Sequence, residues 1–164
     1  MANGKTTMSE AKKKTGGCQC GAIRFEASDF GRSSVCHCRM CQKALGGPYA
    51  VLVTARDLKC TRGAPKHFQS SDKVKRGFCA DCGTPLTYEF EGSAPDVTVA
   101  SFDDPSFAPP TVQLDIEAQI PWCETVPSLP YEGGGEGPKP VSYQHPDHDT
   151  PDWPMAKVQQ ERAS

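Results

Sequence analysis

Seven of the nine cysteines in this 164-residue chain crowd into three short clusters: Cys18-Gln19-Cys20, Cys36-His37-Cys38-Arg39-Met40-Cys41 and Cys79-Ala80-Asp81-Cys82. A closed tetrahedral zinc site takes four protein ligands, whereas a reactive one keeps three and an open position. Clusters of two, three and two thiols divide into one set of four and one set of three. Disulfide bonding is the competing explanation. The cysteine count is odd, however, and the opening stretch MANGKTTMSEAKKKTGG has no apolar run to serve as a secretory leader or a membrane span. The expectation is a cytoplasmic chain with no membrane segment, whose C-x-C and C-x-x-C pairs bind metal. Zinc is favoured over iron–sulfur because the ferredoxin spacings are missing.

Bulk composition makes such metal sites matter for folding. Only 37% of residues are hydrophobic and 8% aromatic, while fifteen Gly and fifteen Pro imply many turns and a modest core. A structural zinc contributes about 10–16 kcal/mol in small zinc peptides, against about 5–15 kcal/mol for the stability of a whole domain. Stripping the metal is therefore expected to unfold the chain. A net charge of −2 argues against a nucleic-acid partner held through phosphates.

Residues 1–15 read as a disordered tail carrying the basic run Lys12, Lys13, Lys14. The folded body is placed at 16–131. Residues 132–164 read as a Gly/Pro-rich tail that is flexible or wraps the surface, with 153–162 a candidate short helix behind Asp152. Within the body, 22–28 alternates Ile23, Phe25 and Ala27 against Arg24 and Glu26, the pattern of a half-buried strand. Residues 49–54 form a more continuous apolar strand. Further strands are expected at 66–69, 74–79, 85–90, 97–102 and 111–118, separated by turn signals such as Ser70-Ser71-Asp72 and Glu91-Gly92-Ser93. One short helix is expected at 39–45, stopped by Gly46-Gly47-Pro48. The fold class is thus mainly β and antiparallel, with little helix.

On an extended C-x-C segment the two thiols point to one side. Cys18 and Cys20 would then pair, as would Cys36 and Cys38, leaving His37 facing away as a core or supporting histidine. Gly83, just after Cys82, lets backbone N–H groups approach the thiolates. Cys60 and Cys123 read as small buried hydrophobes, although either could supply a fourth thiol and close the set of three into a purely structural site. His145 and His148 read as a solvated pair in the tail, and His67 as a lone strand histidine. Arg39, Lys43, Lys75 and Arg76 lie near the clusters and are candidate anion contacts.

The order G-C-x-C-G, C-x-C-x-x-C and F-C-x-x-C-G-x-x-L resembles the glutathione-dependent formaldehyde-activating enzyme family, which includes centromere protein V. The resemblance runs from Gly17 to about Gly133. It takes in Ser101-Phe102-Asp103-Asp104-Pro105, Ile120-Pro121-Trp122 and Ser128-Leu129-Pro130. It implies a β-tent zinc-binding fold of short antiparallel strands with two zinc ions per chain. Cys18, Cys20, Cys79 and Cys82 would hold the structural ion, and Cys36, Cys38 and Cys41 would form the open, catalytic site. The implied activity is that of a carbon–sulfur lyase, in which glutathione or a related thiol adds to a small aldehyde such as formaldehyde. Two alternatives stay open: a zinc-scaffolded binding module without catalysis, or a lyase acting on a different thiol adduct. One departure stands out. Many members carry a His before the Pro-Trp where this chain has Gln113.

Overall fold

A computed structural model describes residues 12–134, 137–138 and 140–151. Among these residues ten strands run in order: β1 Lys14–Gly17, β2 Arg24–Ala27, β3 Phe30–Cys36, β4 Ala50–Ala55, β5 Lys59–Arg62, β6 Lys66–Gln69, β7 Val74–Phe78, β8 Pro85–Phe90, β9 Asp96–Thr98 and β10 Val112–Leu114. The one α-helix among the described residues, α1, spans Arg39–Leu45 between β3 and β4. Five short 3-10 segments lie between Val99 and Ser128. Strands β1, β2 and β5 form a three-stranded sheet. The other seven form a second sheet in the order β10-β3-β4-β9-β8-β7-β6. Every pairing is antiparallel except β10 with β3, which is parallel. The expected mainly β fold with little helix is the one observed.

Several elements follow from local chemistry. Cys38 caps α1 through its sulfur, which accepts from Cys41 N at 3.3 Å, and the helix ends at Gly46, whose φ of 66° few other residues adopt. Strands β6, β7 and β8 lie close to their expected spans. The segments expected at 97–102 and 111–118 are strand only at their starts, and each then tightens into 3-10 turns. Three strands carry weak sequence signals. β3 (FGRSSVC) is rich in small polar residues, yet Ser33 and Ser34 are buried because β4 and β10 flank it on both sides. β5 forms only by pairing with β2. β1 begins at Lys14, so the folded body starts two residues inside the segment expected to be disordered, held by pairing with β2.

The main core joins Ile23, just before β2, and Phe25 and Ala27 of the first sheet to Val53, Ala55, Leu86 and Val97 of the second. Phe25, Phe30, Phe102 and Phe107 pack edge-on or tilted, with centroids 4.8–5.8 Å apart. Arg24 corrects the half-buried reading of its strand. It is only 2% exposed, and its guanidinium meets Asp103 in a two-pronged ion pair at 2.8 and 2.5 Å. Burial pushes the Asp103 carboxyl up, but Arg24 and the Thr15 hydroxyl outweigh it and hold the group below the usual carboxylate range. This pair ties β2 to the segment after β9.

The 140–151 segment returns to the body. His145, expected to be solvated, is 3% exposed, and its N–H donates to Gln19 O at 2.7 Å. Arg62 Nη2 donates to Thr150 O at 2.6 Å. His148 is exposed, as expected. The candidate helix at 153–162 lies outside the described residues.

Candidate metal centres

The seven clustered thiols gather into two separate groups. Sulfurs of Cys18, Cys20, Cys79 and Cys82 all lie within 4.8 Å of one another, and so do those of Cys36, Cys38 and Cys41. Neither Cys60 nor Cys123 joins a group. Cys60 is exposed on β5, against the expectation of burial, so it does not close the set of three.

The four-thiol group is built from two turns. Gly21 N donates to Cys18 O at 3.0 Å, so Cys18 and Cys20 sit on a tight turn rather than the extended segment expected. Cys79–Gly83 forms the second, with Gly83 N donating to Cys79 O at 2.9 Å and Gly83 at a φ of 77°. Cys18 lies 3.4 Å from Cys20, and Cys20 lies 3.8 Å from Cys79. Sulfurs placed tetrahedrally at about 2.3 Å from one zinc ion would stand ~3.8 Å apart, so this donor set fits such an ion. Donors already surround it. Ile23 N reaches Cys18 Sγ at 3.2 Å, and the Thr84 hydroxyl, which accepts from Gln19 N, lies 3.1 Å from Cys82 Sγ. Burial alone raises the Cys82 thiol. Thr84's hydroxyl and amide, with the Cys20 amide, reverse this and bring it to about 6. Burial raises Cys20 strongly, and Cys79 to about 11. A surface cavity of about 430 Å³ borders the group, walled on one side by the segment from Gln144 to Asp147.

The three-thiol group has a different surround. Cys36 ends β3, Cys38 caps α1 and Cys41 lies in its first turns, so one strand-to-helix corner supplies all three. Cys36 and Cys41 are buried and Cys38 half-buried. Arg76, itself only 8% exposed, donates from Nη2 to Cys41 Sγ at 3.4 Å. Its Nε donates to Ser70 Oγ at 3.1 Å, and its guanidinium stacks over Tyr88 at 4.9 Å. On the other side the Cys36 thiol donates to Asp115 Oδ2 at 3.2 Å. Burial pushes both Cys36 and Cys41 up. Asp115 adds to the rise at Cys36, whereas Arg76 opposes it at Cys41.

His37 faces away from the sulfurs, buried, and is not among the grouped donors. Its Nε2 lies 3.0 Å from Gln113 Oε1, while its N–H donates to Leu114 O. Gln113 on β10 therefore supports the corner that carries the thiols. Gln42 locks the same corner, donating to His37 O at 2.8 Å and Ala118 O at 2.9 Å. Asp115 and Gln42 carry no sequence signal for these roles, because their partners are set by β10 lying beside β3.

Of the candidate anion contacts, Arg39, Lys43 and Arg76 line one surface cavity of about 370 Å³ with Met40 and Phe68. Lys75 points elsewhere and pairs with Glu89 at 3.1 Å. His67 also has a partner after all, with Nε2 2.9 Å from the same carboxylate. Beyond Arg76 lies a more apolar cavity of about 320 Å³, walled by Leu45, Leu52, Phe78 and Tyr88.

Comparison with known proteins agrees with this architecture. A family model described as glutathione-dependent formaldehyde-activating enzyme matches residues 13–118. The match takes in all three cysteine clusters and stops short of Pro121-Trp122 and Leu129-Pro130. A crystal structure of a Rhodobacter sphaeroides protein is 25% identical, with a TM-score of 0.50, covering 60% of this chain and 98% of that one. No helix among the described residues is long and apolar enough to cross a membrane.

Proposed function

The chain belongs to the glutathione-dependent formaldehyde-activating enzyme family, and we propose that it is a zinc-dependent carbon–sulfur lyase joining a thiol such as glutathione to a small aldehyde. The observation that carries this reading is the three-thiol corner, Cys36, Cys38 and Cys41, standing beside the cationic cavity of Arg39, Lys43 and Arg76. Cys18, Cys20, Cys79 and Cys82 would hold a structural zinc, and the three-thiol corner a second ion. When bound there, zinc supplies a coordination position at which a thiol loses its proton near neutral pH.

The chain's own residues do the rest. Glutathione carries two carboxylates, and Arg39 and Lys43 sit on one turn of α1 where they can hold such groups. Arg76 is fixed by Ser70 and Tyr88, so it bridges the cavity and the sulfurs without a large entropy cost on binding. In the forward direction the thiol sulfur forms a bond to the carbonyl carbon. The carbonyl π pair moves onto the oxygen, which takes up the proton the thiol gave up and becomes a hydroxyl. At neutral pH only about 3% of a free thiol is thiolate, so complete ionisation gains at most about 30-fold, or about 2 kcal/mol. Larger acceleration would come from holding the two reactants together.

Two-dimensional exchange NMR on glutathione plus formaldehyde tests the reading. Faster exchange into the hydroxymethyl adduct, lost in Cys38→Ser, is the expected result. Unchanged exchange at high protein concentration would move the reading to another thiol adduct or to a binding scaffold. The scaffold reading draws on the exposed side chains of Trp122, Val126, Leu129 and Tyr131 after β10.

A further inference from the structure

We infer that Asp115 is a displaceable fourth ligand to the metal ion at the three-thiol corner. The inference rests on reading that corner as a metal site, and it names the group that fills the position the thiols leave.

The contact between Cys36 and Asp115 is a thiol donating to a carboxylate at 3.2 Å. Metal binding takes the thiol's proton. The donor then disappears, and a thiolate and a carboxylate are left side by side as like charges. An ion bound by both converts that repulsion into shared coordination. Zinc–oxygen bonds of about 2.0–2.2 Å and zinc–sulfur bonds of about 2.3 Å place a carboxylate oxygen ~3.5 Å from each sulfur of a tetrahedral site. The observed separation from Cys36 is close to that value. The carboxylate reaches Cys36 but lies outside the 4.8 Å grouping of the three sulfurs, so ligation requires its exposed side chain to turn inward.

The backbone holds Asp115 at this spot. It is the one non-glycine residue with positive φ among the described residues, at φ 53° and ψ 46°, a left-handed conformation that Asp tolerates better than most. The segment is pinned on both sides: His37 N donates to Leu114 O at 3.0 Å, and Ala118 N to Asp115 O at 3.0 Å. Gln42 then ties Ala118 O to the thiol corner. Charge is partly offset as well. Three thiolates and a carboxylate around a divalent ion leave a net negative charge, and the Arg76 guanidinium against Cys41 cancels part of it. None of the four thiols in the other group has a hydrogen-bonded carboxylate among the described residues. A carboxylate oxygen is a harder donor than sulfur, so an incoming thiol displaces it where it would not displace a cysteine.

The test loads the full chain, Asp115→Ala and Asp115→Asn with zinc or cobalt(II). It measures the affinity of each site by competition with a chromophoric chelator, the four-thiol site serving as internal reference. Asn keeps the left-handed backbone, so it separates the loss of the carboxylate from a backbone change. The Ala and Asn variants should bind at the three-thiol site about tenfold or more weakly, with the four-thiol site unchanged. Cobalt ligand-field bands should shift, and mercaptoethanol should bind the cobalt-loaded variants at several-fold lower concentration than wild type. Affinity within twofold of wild type in both variants, with unshifted bands, overturns the assignment while leaving the three-thiol metal site intact. A wild-type chain that binds one metal, with the count unchanged in Cys38→Ser, overturns both this assignment and the reading it rests on.

Discussion

Two sulfur clusters built from the same side chain sit in opposite surroundings. The four-thiol group joins two turns far apart in sequence and is ringed by neutral donors: the Ile23 amide, the Thr84 hydroxyl and the amides around Cys79 and Cys82. The three-thiol group comes from one continuous corner and has a guanidinium on one side and a carboxylate on the other. A closed set of sulfurs with neutral donors suits a site that only holds the fold together. A set of three, flanked by charges of both signs and a cationic cavity, suits a site that exchanges a ligand.

The largest expected effect would break this contrast most directly. Removing metal with a chelator, or Cys79→Ser, should abolish the cooperative thermal transition followed by circular dichroism. The expected loss, on the order of 10 kcal/mol, is as large as the whole stability of a typical domain. A chelated sample that melts normally would show that the four-thiol group is not what holds the fold.

Asp103→Ala comes next. Among the described residues it leaves the buried Arg24 guanidinium with a longer carboxylate contact, to Asp149 at 3.6 Å. Removing one partner of a buried pair costs about 3 kcal/mol, to be read from the urea midpoint. Because Arg24 lies on the strand that follows the Cys18–Cys20 turn, the loss should also speed metal release from the four-thiol group and spare the other. Equal release from both sites would argue that they are not independent.

Cys38→Ser should do the reverse. Bound metal should fall from about two ions per chain to one while the fold is kept, with a stability change within about 1 kcal/mol. Serine caps a helix well, so α1 keeps its start while the site loses a sulfur. Mass spectrometry under native conditions counts the ions, and loss of folding in this variant would erase the proposed division of labour.

The smallest effect concerns pH. Burial, with smaller contributions from the Arg24 and Arg62 charges, holds His145 below its ordinary value against the opposing hydrogen bond to Pro146 O and the Asp103 charge. A histidine kept neutral in the fold contributes stability that is complete above about pH 6.5. That stability is lost as pH falls through the lower folded value. Hydrogen exchange at the Gln19 turn should therefore loosen on acidification in wild type more than in His145→Gln. Parallel profiles for the two proteins would remove the tail from any role at the four-thiol group.

How much of this was legible beforehand varied with the range of the interaction. Helix α1 could be read because its cap, Cys38, and its stop, Gly46, are local. β8 could be read because its residues favour strand by themselves. β3 could not, since Ser33 and Ser34 look like loop until β4 and β10 cover them. Arg24 looked solvent-facing by alternation, yet Asp103, 79 residues away, draws it inside. Cys60 looked like a buried thiol and stands exposed on β5.

The sequence by itself determined which thiols act together locally, because residues two or three positions apart converge with little help from the rest of the chain. It also carried the family resemblance, since that resides in the same motifs. The meeting of the Cys18–Cys20 and Cys79–Cys82 turns was implied by the resemblance but not by spacing, and only the tertiary structure decided that Arg76 reaches Cys41 and that Asp115 reaches Cys36. These partners lie 35 to 79 residues apart. Closing loops of that length is unfavourable for any single contact and is overcome by sheet pairing and core burial together. The charges that distinguish one cluster from the other are thus set by the whole fold.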